Sequence, residues 1–284
     1  MTPHIDGLSA LSGQYRALLC DVWGVLHNGV SVYRDAEAAL GQFRAAGGAV
    51  VMITNSPRPR AGVIQQLDEL GVSRDTYDEI VTSGDVTREL IRQADGSIFH
   101  LGPDRDKPLF DGLNASMVGE DTAAAIVCTG LFEDETETPE DYRARFEPLV
   151  ARGVPFICAN PDIVVERGDR LIWCAGSLAR LYAEMGGETR LAGKPHAPIY
   201  ALASRKVAEL TGETIDKSNM LAIGDGMPTD VKGAQDFGSN LLYIAGGIHA
   251  GEYGGAENPD TAKLETFLKE QGATPDFWMS RLVW

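Results

Sequence analysis

The sequence predicts an α/β protein with a doubly wound, Rossmann-like parallel sheet as its core and an inserted α/β cap domain. Short apolar runs rich in β-branched residues alternate with longer amphipathic stretches, and this alternation is typical of βαβ units. The 284 residues correspond to nearly two domains of ordinary size. Polar runs that could carry chemistry lie at residues 21–56 and 194–230. Because catalytic groups of open parallel sheets collect at the carboxyl ends of strands, we expect both runs to belong to one sheet.

The elements follow from the periodicity of apolar residues. In chain order, the predicted strands are residues 17–22, 49–53, 124–128, 154–158, 220–223 and 241–244. The predicted helices are residues 35–46, 60–71, 139–152, 197–211 and 229–237. Glycines 47, 48 and 71 close the first two helices, and Pro198 opens the fourth. The acidic segment 133–140 is expected to be a solvated loop.

The spacing of the two polar runs predicts the domain boundaries. Residues 1–84 and 188–284 are predicted to form the core, and residues 85–187 the inserted cap. The hinges are expected near Ser83-Gly84 and Gly186-Gly187, where small residues allow the chain to turn.

Composition excludes several classes of function. The chain has 41 acidic and 25 basic residues, a formal net charge of −16, which argues against binding to nucleic acid or to an anionic membrane. No apolar run approaches the roughly 18 residues that span a bilayer, and no signal peptide is visible at the N-terminus.

The cysteines lie in apolar runs without C-x-x-C spacing; they are Cys20, Cys128, Cys158 and Cys174. We therefore expect buried free thiols, no zinc site and a cytoplasmic location.

Polar residues with distinct chemistry follow four predicted elements. Asp21 ends an apolar strand, where a carboxylate is suited to be a nucleophile or a metal ligand; capping of the turn is the alternative. Thr54-Asn55 ends the second strand and offers donors for an oxyanion. Lys194 stands between Gly and Pro before a helix, as a fixed positive charge or an ordinary surface lysine. Asp225 and Asp230 follow another apolar strand and have the oxygen ligands that Mg²⁺ prefers.

The ordered set resembles the haloacid dehalogenase (HAD) superfamily. Its pattern is Asp after the first strand, Thr after the second, then Gly-Lys-Pro, then Gly-Asp-x-x-x-Thr-Asp, between about residues 17 and 243. The turn after Asp21, the Thr-Asn-Ser run and Asn160-Pro161-Asp162 are similar to the class IIA, NagD-like branch, in which a cap is inserted between the second and third motifs. Asn160 and Asp162 could shape a turn near the junction of cap and core; the sequence assigns them no other role.

The resemblance implies a phosphatase that works through an aspartyl phosphate. Asp21 would be the nucleophile, Thr54 and the Asn55 backbone would hold the phosphoryl oxygens, and Lys194 would offset the negative charge. Mg²⁺ would be the cofactor, with Asp21, Asp225 and the Trp23 carbonyl as ligands and Asp230 near the metal or its water. The Asp21 carboxylate and the phosphate are both anions, and they repel each other strongly in a site without water. A divalent cation and a lysine would offset this repulsion.

Trp23 departs from the family pattern. The residue two positions after the nucleophile is usually a second Asp, the general acid and base, and an indole cannot exchange a proton near neutral pH. Loss of this help costs roughly 10²–10⁴ in rate. His27 lies nearby and titrates near neutral pH, although packing within the turn is the alternative.

The expected function is therefore a magnesium-dependent hydrolase of small phosphorylated metabolites, slowed by Trp23. The alternatives are a phosphotransferase and a non-catalytic protein that binds phosphorylated metabolites. A homodimer is compatible with the resemblance, because capped relatives often pair. The sequence does not name the substrate, because the residues of a cap that contact it vary among relatives.

Overall fold

The structure is a computed structural model that describes residues 2–93, 96–167 and 170–284. The chain separates into two compact units. One comprises Met1–Thr54, Ile64–Val81 and Tyr200–Trp284, and the other comprises Asn55–Val63 and Thr82–Ile199. The predicted α/β class with parallel sheets is confirmed. The domain boundaries predicted after residues 84 and 187 stay a prediction.

The elements of the described residues are numbered in chain order. The strands are β1 Ala17–Asp21, β2 Ala49–Thr54, β3 Glu79–Thr82, β4 Ser97–Leu101, β5 Ser116–Met117, β6 Ala125–Cys128, β7 Phe156–Cys158, β8 Val164–Arg167, β9 Arg170–Trp173, β10 Thr189–Leu191, β11 Met220–Gly224, β12 Asn240–Ile244 and β13 Phe277–Met279. The helices are α1 Arg34–Ala45, α2 Arg60–Glu69, α3 Ser83–Gln93, α4 Arg143–Ala151, α5 Ala175–Glu184, α6 Ala197–Thr211, α7 Lys232–Phe237 and α8 Thr261–Glu270.

The first unit contains a six-stranded sheet with the order β13-β12-β11-β1-β2-β3. β1 pairs in parallel with β11 on one side and with β2 on the other, and β12 and β13 continue the parallel pairing beyond β11. Every residue of β1, β2 and β11 is buried. Because both faces of such strands are covered, their sequences are nearly continuous apolar runs.

The second unit contains a five-stranded sheet with the order β10-β7-β6-β4-β5 and a two-stranded sheet of β8 and β9. The five strands pair in parallel, and β8 pairs with β9 in antiparallel fashion. Alternate residues of β6 enter two different buried clusters: Ile126 and Cys128 join one, and Ala125 and Val127 join the other. This sheet is therefore covered on both faces as well.

Six predicted strands are confirmed as β1, β2, β6, β7, β11 and β12, and α6 has the predicted bounds. Two predicted helices are each divided. A 3-10 helix, Pro139–Tyr142, precedes α4, and a π-helical turn, Met227–Val231, precedes α7. The remaining strands, with α3, α5 and α8, were not predicted.

All four cysteines are buried free thiols, as predicted. Burial raises the pKa of the Cys158 thiol to about 12, so this thiol stays protonated at neutral pH. Among the described residues, no helix combines the length and the apolar character needed to cross a membrane.

Candidate active site

The first sheet has a topological switch point between β1 and β11. From β1 the chain continues to β2 on one side, and from β11 it continues to β12 on the other. Asp21 is the last residue of β1, and Asp225 directly follows β11. Thr54, the last residue of β2, is buried and follows Ile53, the register partner of Asp21. Ligands of open α/β sheets bind at this kind of crevice, beyond the carboxyl ends of the strands.

Three carboxylates meet at this edge. Asp21, Asp225 and Asp230 each place one oxygen within 4.8 Å of the others, and none is more than 8% exposed. At an effective dielectric constant of about 20, two unit charges this close repel by at least about 3 kcal/mol. A hard divalent cation removes that repulsion, and a set of carboxylate oxygens suits Mg²⁺. The residues present therefore fit the magnesium ion that the resemblance implies.

Backbone groups fix the first two carboxylates. The Val22 N–H donates to Asp21 Oδ1 at 2.7 Å, and the Ile248 N–H donates to Asp225 Oδ2 at 2.8 Å. Asp225 also lies against two glycines. A Cβ on Gly24 would be 2.3 Å from Asp225 Oδ2, and a Cβ on Gly247 would be 1.9 Å from the same atom. The site thus requires glycine at two positions because the backbone approaches this carboxylate closely.

The π-helical turn Met227–Val231 positions Asp230. Its Oδ2 accepts hydrogen bonds from the Gly226 N–H at 3.2 Å and from the Thr229 hydroxyl at 3.3 Å. A Cβ on Gly224 would lie 2.2 Å from Asp230 Cγ. The Gly-Asp-x-x-x-Thr-Asp run therefore folds back on itself so that its second Asp contacts the end of β11.

Two buried tyrosines support the same region. The Tyr253 hydroxyl donates to the Ala245 carbonyl at 2.8 Å, and the hydroxyls of Tyr243 and Tyr253 are 2.9 Å apart. Burial raises the pKa of both phenols, that of Tyr253 to about 12. Both are therefore neutral at physiological pH and add no charge near the carboxylates.

Trp23 is packed within the turn after β1. A Cβ on Gly29, where φ is +83°, would lie 2.5 Å from Trp23 Cζ2, and the rings of Trp23 and His27 meet edge-on with centroids 5.0 Å apart. His27 is 1% exposed, and its Nδ1 accepts the Gly29 N–H at 2.9 Å. Burial lowers the pKa of His27 to about 4. These contacts support the interpretation of His27 as a packing residue.

Asn55 and Lys194 belong to the second unit and are both buried. Asn55 Oδ1 accepts the Lys194 N–H at 2.7 Å, and Asn55 Nδ2 donates to the Lys194 carbonyl at 3.2 Å and to Asp162 Oδ1 at 2.8 Å. Sequence reasoning predicted a role for the Asn55 backbone, but it missed the contacts of the side chain. The catalytic and metal-binding roles of all these residues stay predictions.

Comparisons with known proteins identify the family. A model described as haloacid dehalogenase-like hydrolase matches residues 18–116, and one described as HAD-hydrolase-like matches residues 191–267. The crystal structure of a haloacid dehalogenase-like hydrolase from Brucella suis 1330 is 51% identical, with a TM-score of 0.89, and covers 98% of this chain and 100% of that one. The chain belongs to the haloacid dehalogenase-like hydrolase family. The predicted haloacid dehalogenase family is thereby confirmed.

Two further relatives of the hydrolase have more specific names. An acid sugar phosphatase from Staphylococcus aureus is 25% identical over 245 residues, which are 83% of this chain and 88% of the relative. A glycerol phosphate phosphatase from Mycobacterium tuberculosis, solved in complex with magnesium, shares the fold, with a TM-score of 0.64 and 23% identity. It covers 84% of this chain and 71% of that one.

Proposed function

We propose that the hydrolase is a magnesium-dependent phosphatase of small phosphorylated metabolites that works through an aspartyl phosphate on Asp21. The observation that carries the proposal is the cluster of three buried carboxylates beyond the ends of β1 and β11. The names of the sugar and glycerol phosphate phosphatases support the reaction class. The small-molecule substrate, the homodimer and the cytoplasmic location stay predictions.

In the proposed reaction, a carboxylate oxygen of Asp21 attacks phosphorus, and the ester oxygen leaves with the electron pair of its bond to phosphorus. Water then attacks the aspartyl phosphate and releases inorganic phosphate. The Thr54 hydroxyl and the Asn55 N–H are assigned to the phosphoryl oxygens, and the Lys194 ammonium is assigned to their charge. Fixed donors and charges of this kind stabilise the transition state without reorganisation.

Four groups are assigned to Mg²⁺: the carboxylates of Asp21, Asp225 and Asp230, and the carbonyl of Trp23. When bound, the ion supplies the positive charge that lets an anionic nucleophile approach an anionic phosphate. The Ile248 N–H holds Asp225 for this task, and the Val22 N–H holds Asp21.

A second candidate is a phosphotransferase, or a slow hydrolase that prefers good leaving groups. The packing of Trp23 favours it, because the indole is held against Gly29 and His27 in the place of the usual acid. The adjacent imidazole is buried, and its Nδ1 is engaged by the Gly29 N–H. Without a general base at this position, hydrolysis of the aspartyl phosphate is slow, so the intermediate persists and an added alcohol can capture it.

The test is release of inorganic phosphate from 4-nitrophenyl phosphate by the purified protein, in magnesium and after chelation. We expect release in magnesium only, and none from Asp21→Asn. The matched control is Asp6→Asn in the same unit, because the Asp6 side chain is fully exposed. A wild type that binds phosphate in magnesium but releases none from any ester would be a binding protein, and the proposal would fail.

A further inference from the structure

One side chain binds both backbone polar atoms of Lys194. The Asn55 amide accepts the Lys194 N–H through Oδ1 and donates to the Lys194 carbonyl through Nδ2. The two residues are 139 positions apart in the chain, and they are 4% and 3% exposed, respectively. A Cβ on Gly193 would lie 2.2 Å from Asn55 Oδ1. The contact is therefore close, dry and dependent on glycine beside the lysine.

Asp162 reinforces the orientation of the Asn55 amide. A carboxylate only accepts hydrogen bonds, whereas the amide has one accepting and one donating end. Asn55 Nδ2 donates to Asp162 Oδ1 at 2.8 Å. The reversed amide would place its oxygen against this carboxylate and the Lys194 carbonyl, and its NH₂ against the Lys194 N–H, so three repulsive contacts would replace three hydrogen bonds. Asp162 thus reinforces the orientation in which Asn55 binds both backbone groups of Lys194.

The turn that carries Asp162 is itself held in place. The Asp162 N–H donates to Asn160 Oδ1 at 3.1 Å, and the Gly176 N–H donates to the Asp162 carbonyl at 3.1 Å. A Cβ on Gly176 would lie 2.1 Å from the Pro161 carbonyl oxygen. The Asn160-Pro161-Asp162 run therefore forms a fixed support for the Asn55 amide, on the first turn of α5.

We propose that Asn55 and Asp162 are positioning residues that hold the Lys194 backbone, so that its ammonium group is presented in one place. Asn55 acts on Lys194 directly, and Asp162 acts through Asn55. The inference rests on the charge-offsetting role of Lys194 in the proposed function. Displacement of a catalytic group by about 1 Å can cost roughly 10² in rate.

The kinetic test compares Asn55→Ala, Lys194→Ala and the double variant. Asn55→Ala should lower kcat by about 10–100-fold with a smaller change in KM, because a displaced charge weakens transition-state stabilisation most. In the Lys194→Ala background, the same substitution should lower kcat no further, since the group that it positions is gone. Asn114→Ala, an exposed asparagine of the same unit, is the control. Additive losses of kcat would overturn the positioning role.

Two variants of Asp162 separate orientation from folding. Asp162→Ala removes the acceptor and should lower kcat by several-fold up to about 10-fold. Asp162→Asn keeps an oxygen that accepts from Asn55 Nδ2, and it should retain most of the wild-type kcat. Equal losses in both variants at equal melting temperatures would overturn the assignment to Asp162.

Hydrogen exchange provides a readout that does not depend on activity. NMR of the Lys194 amide should show exchange at least about 10-fold faster in Asn55→Ala than in wild type or Asn114→Ala, because the acceptor of this N–H is lost. Unchanged protection would overturn the inference even if the enzyme is active. Lost protection in Asn55→Ala, with a wild type that hydrolyses no phosphate ester, would support the contact and overturn the proposed function.

Discussion

The carboxylate of Asp225 lies directly against the backbone of Gly247. A Cβ added to Gly247 would be 1.9 Å from Asp225 Oδ2, and the next residue, Ile248, donates its N–H to the same oxygen at 2.8 Å. Gly247 follows β12, the strand that pairs with β11. A loop from the neighbouring strand thus fixes the carboxylate that follows β11.

Gly247→Ala should therefore impair the site without straining the backbone. Gly247 is not among the glycines with positive φ, so alanine fits its conformation, but the new methyl group must displace Asp225. We expect magnesium affinity to fall at least about 10-fold and kcat about 10²-fold, because a displacement near 1 Å has costs of this size. Calorimetric titration with magnesium and the phosphate-release assay measure the two effects.

Gly251→Ala is the matched control for that substitution. A Cβ on Gly251 would have no neighbour within 4 Å, and its φ is also not positive. This variant should bind magnesium and release phosphate as the wild type does. If Gly247→Ala behaves like Gly251→Ala, the loop does not set the position of Asp225.

Asp225→Asn should increase the stability of the metal-free protein and abolish its stabilisation by magnesium. The substitution removes one of three buried like charges, whose pairwise repulsion is at least about 3 kcal/mol, and keeps an oxygen for the Ile248 N–H. A ligand that binds only the folded state stabilises it by an amount that grows with the logarithm of its concentration divided by Kd. Thermal melts with and without magnesium test both expectations.

Asp236→Asn is the control for the removal of a negative charge, because it makes the same substitution at an exposed aspartate. Asp236 lies in α7 and is paired with Lys232. It should melt like the wild type in both conditions. Magnesium stabilisation of Asp225→Asn equal to that of the wild type would remove Asp225 from the ligand set.

The three strands whose ends carry the site were predicted from the sequence, whereas several other strands were missed. β1, β2 and β11 are buried along their whole length, so they appear as uninterrupted apolar runs. β4 contains a serine and a histidine, and β10 is a three-residue strand without a fully buried residue. Short or mixed strands depend on neighbours that are distant in the chain, so local periodicity does not reveal them.

The site residues, too, could be predicted only where the signal is local in the sequence. The carboxylates Asp21, Asp225 and Asp230 could be predicted because each follows an apolar strand or lies in a motif around one. The support of Asp225 by Ile248 spans 23 residues, and the contact of Asn55 with Asp162 spans 107. Such contacts depend on strand order and loop geometry. A single sequence shows Gly247 and Asp162 only as turn residues.

His100 should make the stability of the protein depend on pH. Its Nε2 is 2.9 Å from Thr129 Oγ1, and its ring meets Phe110 edge-on. Burial, followed by the charge of Lys107, lowers the pKa of His100 to about 4. Folding therefore favours the neutral ring, so its contribution to stability is complete above about pH 6.5 and is lost as pH falls toward 4.

His100→Gln keeps an atom that can bond Thr129 and removes the titration. Urea denaturation of both proteins between pH 7.5 and 4 isolates the effect, since the other titrating groups are shared. Below pH 6.5, the free energy of unfolding should fall more steeply for the wild type than for the variant. Above pH 6.5, the two free energies should change with pH in parallel. Parallel curves over the whole range would show that folding does not keep the His100 ring neutral.

Trp23 provides the prediction that separates the two candidate functions. With an indole held against Gly29 in place of an acid, the departing oxygen receives no proton from this position. Aryl phosphates have leaving groups that are stable as anions, so the wild type should hydrolyse them faster than alkyl phosphates. Trp23→Asp should raise alkyl-phosphate turnover by up to about 10²–10⁴-fold. Trp23→Phe, which keeps an aromatic ring in the turn but offers no acid, should not.

The measurement is turnover of 4-nitrophenyl phosphate and glycerol phosphate by the three proteins, with and without added alcohol. Transfer of phosphate to the alcohol by the wild type, in preference to hydrolysis, would favour the phosphotransferase. The reason is that an aspartyl phosphate that water attacks slowly persists long enough for an alcohol to capture it. Equal turnover of both esters by the wild type would mean that another residue supplies the proton. His27→Asn would then be examined first, because an asparagine oxygen can accept the Gly29 N–H in place of Nδ1 but cannot donate a proton at neutral pH.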